Sequence, residues 1–313
     1  MHRRTCDYSP SLSVLFTSPI CLVFLFVAAL AACGGEGSSS SPTGPSPTPT
    51  TPTTTLSNGL TTMSVSQDVD GISQERRFIV ARPQILEPNK RYPILFVFHG
   101  NGGTGSDYVD QFSYHVESAG LVAVYPDGVA NSWNLGPEAS NADDVEFVKL
   151  IVNELAQYSE LDTSRMFAYG ESNGAGMAHL LGIETNLFDG IGGTVTALLE
   201  KNKPAAGTKS LGVLQIMGTV DSIVPYTGGV GVLGHNFMGA EASAKTWAAA
   251  NSCDNAGSRT TTAGGNIRIE YTGCAGGVSV LHYGIVGAGH GIPGEIEGGL
   301  TDLILNFFFA LPN

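Results

Sequence analysis

Three side chains in this 313-residue sequence have the types and positions needed to attack a carbonyl together: Ser172, Asp221 and His290. Ser172 lies in the run Tyr169-Gly170-Glu171-Ser172-Asn173-Gly174, with one glycine two places before it and one two places after. A serine hydroxyl is a poor nucleophile until a neighbouring base takes its proton. With 41 glycines in the chain the spacing alone is weak, so the flanking pattern carries the argument. Residues 165–169 (RMFAY) read as a strand and NGAGMAHLLG, after the serine, reads as a helix. A strand, a sharp turn and a helix hold a serine in a strained backbone conformation, and side chains at the two glycine positions would strike the neighbouring elements. The helix N-terminus then offers N–H groups and a partial positive charge to a developing oxyanion.

The base must come from one of seven histidines. His115 and His179 fall in helical patterns, His282 inside a strand pattern, and His235 in a loop. His290 differs: it sits in VGAGHGIPG, directly after the last apolar strand pattern, where glycines let the chain fold an imidazole back over the sheet. Asp221, in GTVDSIVPY after the apolar run VLQIM, is the acid expected to orient it. Asp127, in YPDG, is the rival, but it precedes the serine. The chain order Ser, Asp, His favours Asp221, and Asp127 reads as a turn residue before Gly128. The glycine-rich loop FHGNGGTG follows the apolar run ILFVF, so the backbone N–H groups of Asn101 and Asn173 are the expected oxyanion donors, with His99 orienting the loop.

The elements that must position these groups alternate. Residues 76–83, 92–100, 121–128, 165–169, 210–218 and 279–287 read as strands, the second of them buried on both faces. Residues 143–160 carry Val145, Val148, Ile151, Val152 and Leu155 at helical spacing, with Asp143 or Asp144 as cap. GAEASAKTWAAAN and TDLILNFFFAL are further helices. Strand–helix alternation implies an α/β architecture with a mainly parallel sheet and helices on both faces, and chemistry at the carboxyl ends of the strands.

A net charge of −13 offers no basic surface for phosphates, which argues against nucleic acid as a partner. The first residues form no part of the folded domain. Arg3 and Arg4 precede an apolar run ending in small residues, which reads as a signal peptide over 1–32. Leu30-Ala31-Ala32-Cys33 looks like a lipobox, making Cys33 the lipidated first residue of the mature chain and the membrane its anchor. Residues 33–57, rich in Ser, Thr and Pro, read as a tether, leaving 58–313 as the catalytic domain. Cys253 and Cys274 are the cysteines left in an exported domain. Their pairing would close a loop of about 20 residues, worth about 3 kcal/mol. No Cys/His cluster has zinc spacing, and the triad chemistry requires neither metal nor cofactor.

The domain resembles the polyhydroxybutyrate depolymerase-like and feruloyl-esterase-like α/β-hydrolases. The stretches that carry the resemblance are FHGNGGTGSDY, VAVYPDGVANSWN, ADDVEFVKLIVNEL, FAYGESNGAGMAHLL, GTVDSIVPYTGG, TWAAANSC and VGAGHGIPG, in family order from about residue 76 onward. The resemblance implies a secreted serine esterase acting on a polyester or on hydroxycinnamoyl or acetyl esters of polysaccharides, with Ser172, Asp221 and His290 at the triad positions. It places Trp133 beside the substrate pocket and a disulfide at Cys253 and Cys274, and His99 is expected at the same pocket. Three residues depart from the pattern: Met217 stands where the family has histidine, Asn101 where it has cysteine, and Glu171 is unusually acidic for a neighbour of the nucleophile. A serine peptidase of the same fold and a surface-anchored binding protein are the alternative readings. The oligomeric state is not legible.

Overall fold

The computed structural model describes residues 55–254, 256–294 and 296–313. The expected signal peptide, Cys33 and most of the expected tether lie outside the described residues. In chain order the strands and helices are β1 (Gly59–Val69), β2 (Ile72–Arg82), β3 (Tyr92–Phe98), α1 (Val109–His115), β4 (Val122–Pro126), α2 (Asp144–Leu155), β5 (Leu161–Glu171), α3 (Asn173–Glu184), β6 (Gly190–Thr194), β7 (Gly212–Gly218), β8 (Gly229–Val230), β9 (Asn236–Phe237), α4 (Ala240–Ala250), β10 (Ser258–Thr261), β11 (Ile267–Tyr271), β12 (Val280–Ile285) and α5 (Leu300–Phe309).

Ten strands form one sheet in the order β1-β2-β4-β3-β5-β6-β7-β12-β11-β10, and β8 pairs with β9 in a separate ribbon. From β4 to β12 every neighbouring pair is parallel, while β1, β2, β10 and β11 add antiparallel margins. Parallel strands are buried on both faces, and the side-chain alternation of β3 shows how. Ile94, Phe96 and Phe98 join one apolar core with Phe147 and Ile151 of α2, Leu181 of α3 and Trp247 of α4. Leu95 and Val97 join the opposite core with Phe112 of α1 and Ile304 and Phe308 of α5. Helices therefore cover both faces.

Several boundaries differ from those expected. Helix α2 ends at Leu155, where the backbone tightens into turns through Tyr158 N–H to Leu155 O, instead of running on to residue 160. Its cap is Asp143, which accepts from Glu146 N–H at 2.8 Å. Asp144 instead meets Arg76 at 2.8 Å, both side chains almost wholly buried. Leu56 is already buried, and its N–H donates to Glu160 Oε1 at 2.8 Å, so packing begins within the stretch expected to be tether. The parallel strands all point their carboxyl ends to one edge. The loops after β3, β5, β7 and β12 carry Asn101, Ser172, Asp221 and His290 there.

Candidate active site

The turn between β5 and α3 holds Ser172 at φ 53° and ψ −115°, a region a serine enters only when its surroundings force it. Its flanking glycines show what forces it. A Cβ on Gly170 would lie 2.2 Å from the backbone of Gly174, and one on Gly174 would lie 2.1 Å from Phe98 O. Strand β5, helix α3 and strand β3 therefore close on one another through bare backbone. Ser172 N–H donates to Thr194 O at 2.9 Å, tying the elbow to the end of β6.

Ser172 Oγ lies 2.9 Å from His290 Nε2, and His290 Nδ1 lies 2.7 Å from Asp221 Oδ2. The Asp221 side chain is fully buried, and its Oδ1 accepts the N–H groups of Ile223 and Val224 at 2.8 and 2.9 Å. A carboxylate held this way accepts from Nδ1–H, which leaves Nε2 free to take the serine proton. The Asp221 and His290 loops meet through Gly218, where a Cβ would come 2.2 Å from Gly289 O. Asp127, the rival acid, is elsewhere: its Oδ1 accepts Gly105 N–H at 2.8 Å and its Oδ2 pairs with Arg77 at 3.0 Å. It shapes the loop after β3 and does not reach His290.

Asn101 and Asn173 line the same cavity as Ser172 and His290, and neither backbone N–H has an acceptor among the described residues. Asn173 opens helix α3, so the helix dipole adds to its N–H. Its side chain is fixed by Trp133, accepting from Trp133 N–H at 2.7 Å and donating to Trp133 O at 3.0 Å. His99 holds the loop that carries Asn101. Its Nε2 accepts Gly128 N–H at 3.0 Å, so Nδ1 carries the proton and donates to Gly100 O at 2.8 Å. Burial lowers its pKa and keeps the ring neutral, the state this double role requires.

Two expectations need correction here. Trp133 and His99 do not line the cavity. Both are fully buried below the loop, with Trp133 Nε1–H donating to His99 O at 2.9 Å, so they brace the loop that carries Asn101 instead of lining the cavity. Met217, in place of a histidine, is buried with Val224 and Phe237 under the Asp221 loop and needs no polar partner. Glu171 lines the cavity beside Tyr108, whose hydroxyl accepts Gly100 N–H at 3.3 Å. Burial and then the Glu171 charge push the Tyr108 hydroxyl up to about 12, so it stays protonated.

The cavity holds about 680 Å³. Its wall includes a polar pair that no motif announced, Glu138 and His235, 2.5 Å apart and almost wholly buried. Glu138 also accepts from Leu135 N–H at 2.9 Å. His235 is presented by the ribbon of β8 and β9, too short and too glycine-rich for periodicity to reveal. Cys253 and Cys274 are joined by a disulfide between the end of α4 and the loop after β11. No cluster of His, Cys, Asp or Glu suited to a metal ion occurs among the described residues.

No protein-family model matches the chain. The chain is 30% identical over 234 residues to feruloyl esterase B of Piromyces equi, a match covering 69% of this chain and 42% of that protein. It thus spans about two fifths of the length of that relative. Feruloyl esterase C of Emericella nidulans is 26% identical over 258 residues, covering 77% of this chain and 87% of that one. Among solved structures, an acetyl xylan esterase from Aspergillus awamori superimposes with a TM-score of 0.53 at 16% identity, over 80% of this chain and 99% of that one. At that identity the likeness speaks to the fold alone.

Proposed function

We propose that this chain, an α/β-hydrolase similar in sequence to feruloyl esterases, is a serine carboxylesterase that works through Ser172, His290 and Asp221. The observation that carries the reading is the unbroken contact from Asp221 through His290 to Ser172 Oγ at the wall of a cavity that Asn101 and Asn173 also line, their backbone N–H groups without an acceptor among the described residues. His290 Nε2 takes the hydroxyl proton as Oγ bonds to the ester carbonyl carbon. The carbonyl oxygen, now an oxyanion, accepts from Asn101 and Asn173 N–H. The C–O bond to the alcohol breaks and the alcohol leaves with the proton from Nε2. Water then gives a proton to Nε2 as its oxygen bonds to the acyl carbon, the bond to Ser172 Oγ breaks, and Oγ takes the proton back from Nε2 as the acid leaves. Each oxyanion donor is worth about 3 kcal/mol in the transition state.

The names of the relatives point to a feruloyl ester, and so to the hydroxycinnamoyl class, as substrate, with acetylated xylan the variant that the sequence resemblance also implies. A second reading, an aliphatic polyester, rests on the apolar rim of the cavity. Ile223, Val232 and Leu233 are all more than two fifths exposed there, and Val220 stands on the adjoining Asp221 loop. The N-terminal signal and Cys33 lipidation fit an enzyme exported to the cell envelope that meets substrates too large to import. A panel of methyl ferulate, acetylated xylan, polyhydroxybutyrate, an aliphatic polyester and a peptide amide tests the reading. Turnover of an ester that Ser172→Ala abolishes is expected. Turnover of the amide alone, or none at all, contradicts it.

A further inference from the structure

Residues Asn173, Gly176 and His179 all line the cavity, at steps of three along α3. At a rise of 1.5 Å per residue the cavity follows the helix for about 9 Å from Asn173, the residue after the nucleophile, to His179. That depth matches an extended arylacyl group, with its carbonyl at Ser172 and its far end at the imidazole.

His179 is almost fully buried. Its Nδ1 accepts the indole N–H of Trp247 at 3.1 Å, so the ring proton must sit on Nε2. Nε2 is buried and has no hydrogen-bond partner among the described residues. The ring is thus a donor of fixed tautomer without an acceptor, on the wall of a substrate cavity. Burial lowers its pKa to about 4, so it stays a neutral donor through the neutral range. Glu138, on the same cavity wall, is already engaged, accepting from His235, Leu135 N–H and Asn173. An unmet buried donor selects for an acceptor on the ligand, because a ligand without one leaves it unpaired.

We propose that His179 is a specificity-determining residue that donates to the ring hydroxyl oxygen at the far end of a hydroxylated arylacyl group. This rests on the esterase reading above and deepens it. An aliphatic hydroxyalkanoate ester has no acceptor fixed at that distance, so the same donor disfavours the polyester reading.

The test compares kcat/KM for methyl p-coumarate and methyl cinnamate, which differ only in the ring hydroxyl. The ratio within one preparation does not depend on the fraction of folded enzyme. The full-length enzyme should prefer the coumarate at least about tenfold, equivalent to about 1.4 kcal/mol. His179→Leu should bring the ratio near one. His179→Gln, which can still accept from Trp247 and donate from its amide, should restore much of it. Because His179→Leu orphans the Trp247 N–H, the double variant with Trp247→Phe is measured beside it and should give the same collapsed ratio. A wild-type ratio near one, or an unchanged ratio in His179→Leu, overturns the proposal. Cleavage of p-nitrophenyl acetate without cleavage of either methyl arylacyl ester overturns it while leaving the esterase reading standing. Cleavage of none of the three removes both.

Discussion

Replacing Asp221 by asparagine changes one atom, and the structure says what that atom does. Oδ1 of Asp221 is held by Ile223 and Val224 N–H, and an asparagine carbonyl oxygen would keep both bonds. The amide nitrogen would then face His290 Nδ1 at about the present 2.7 Å, where it can only donate. Nδ1 must become the acceptor, which moves the ring proton to Nε2, facing Ser172 Oγ at 2.9 Å. The base is then blocked by its own proton. A wrong tautomer in a triad of this kind lowers kcat about 10⁴-fold, or about 5 kcal/mol of barrier. The assay is kcat on saturating p-nitrophenyl acetate, with the melting temperature measured alongside. No charge is left buried without a partner, so melting should stay near wild type. A loss below about tenfold in a folded variant would refute the reasoning, since one ordinary hydrogen bond could account for it. Asp127→Asn, which alters only the Gly105 and Arg77 contacts, serves as the contrast and should lose about tenfold or less.

Further outcomes follow from the same geometry. Gly174→Ala places a methyl group 2.1 Å from Phe98 O, so it should abolish activity and lower the denaturant midpoint, whereas Gly289→Ala meets open space and should leave the midpoint unchanged. His179 and His282 are buried with pKa values lowered to about 4, so the unfolded chain binds more protons than the fold below the ordinary value of 6.5. Stability should therefore be full above pH 6.5 and fall as pH drops toward 4, by up to about 3 kcal/mol for each histidine, read from urea midpoints across that window. A flat profile would contradict the neutral assignment. Converting Cys253 and Cys274 to serine together should cost about 3 kcal/mol in unfolding free energy, with little change in kcat.

The legible parts of the chain were those where a strand or helix pattern repeats. The central strands announced themselves as apolar runs because both faces are covered, and Ser172, Asp221 and His290 could be placed because each follows such a run. Strand β6 escaped because its sequence, GIGGT, carries almost no apolar signal. It is a central strand all the same: Gly190 and Gly192 leave the space that Phe308 of α5 fills, where a Cβ would come within 3.0 Å of the ring. A glycine chosen for a neighbour's bulk leaves no periodic trace. Strand β1 alternates but is mostly polar, and it forms the sheet margin only through its register with β2. The family resemblance made the neighbourhood of Trp133 legible. Its direction was not, since that depends on the Asn173 amide and the His99 carbonyl it meets across the fold. Glu138 and His235 come from two loops 97 residues apart, and no local spacing could have joined them.

The most direct measurement of the central claim is covalent labelling by a fluorophosphonate, followed by mass spectrometry of the digested protein. An activated hydroxyl reacts with such a probe, whereas an ordinary loop serine does not. The account predicts one label per chain, on the peptide carrying Ser172, and its loss in His290→Ala. A folded protein that takes no label, or takes it on another serine, would contradict it.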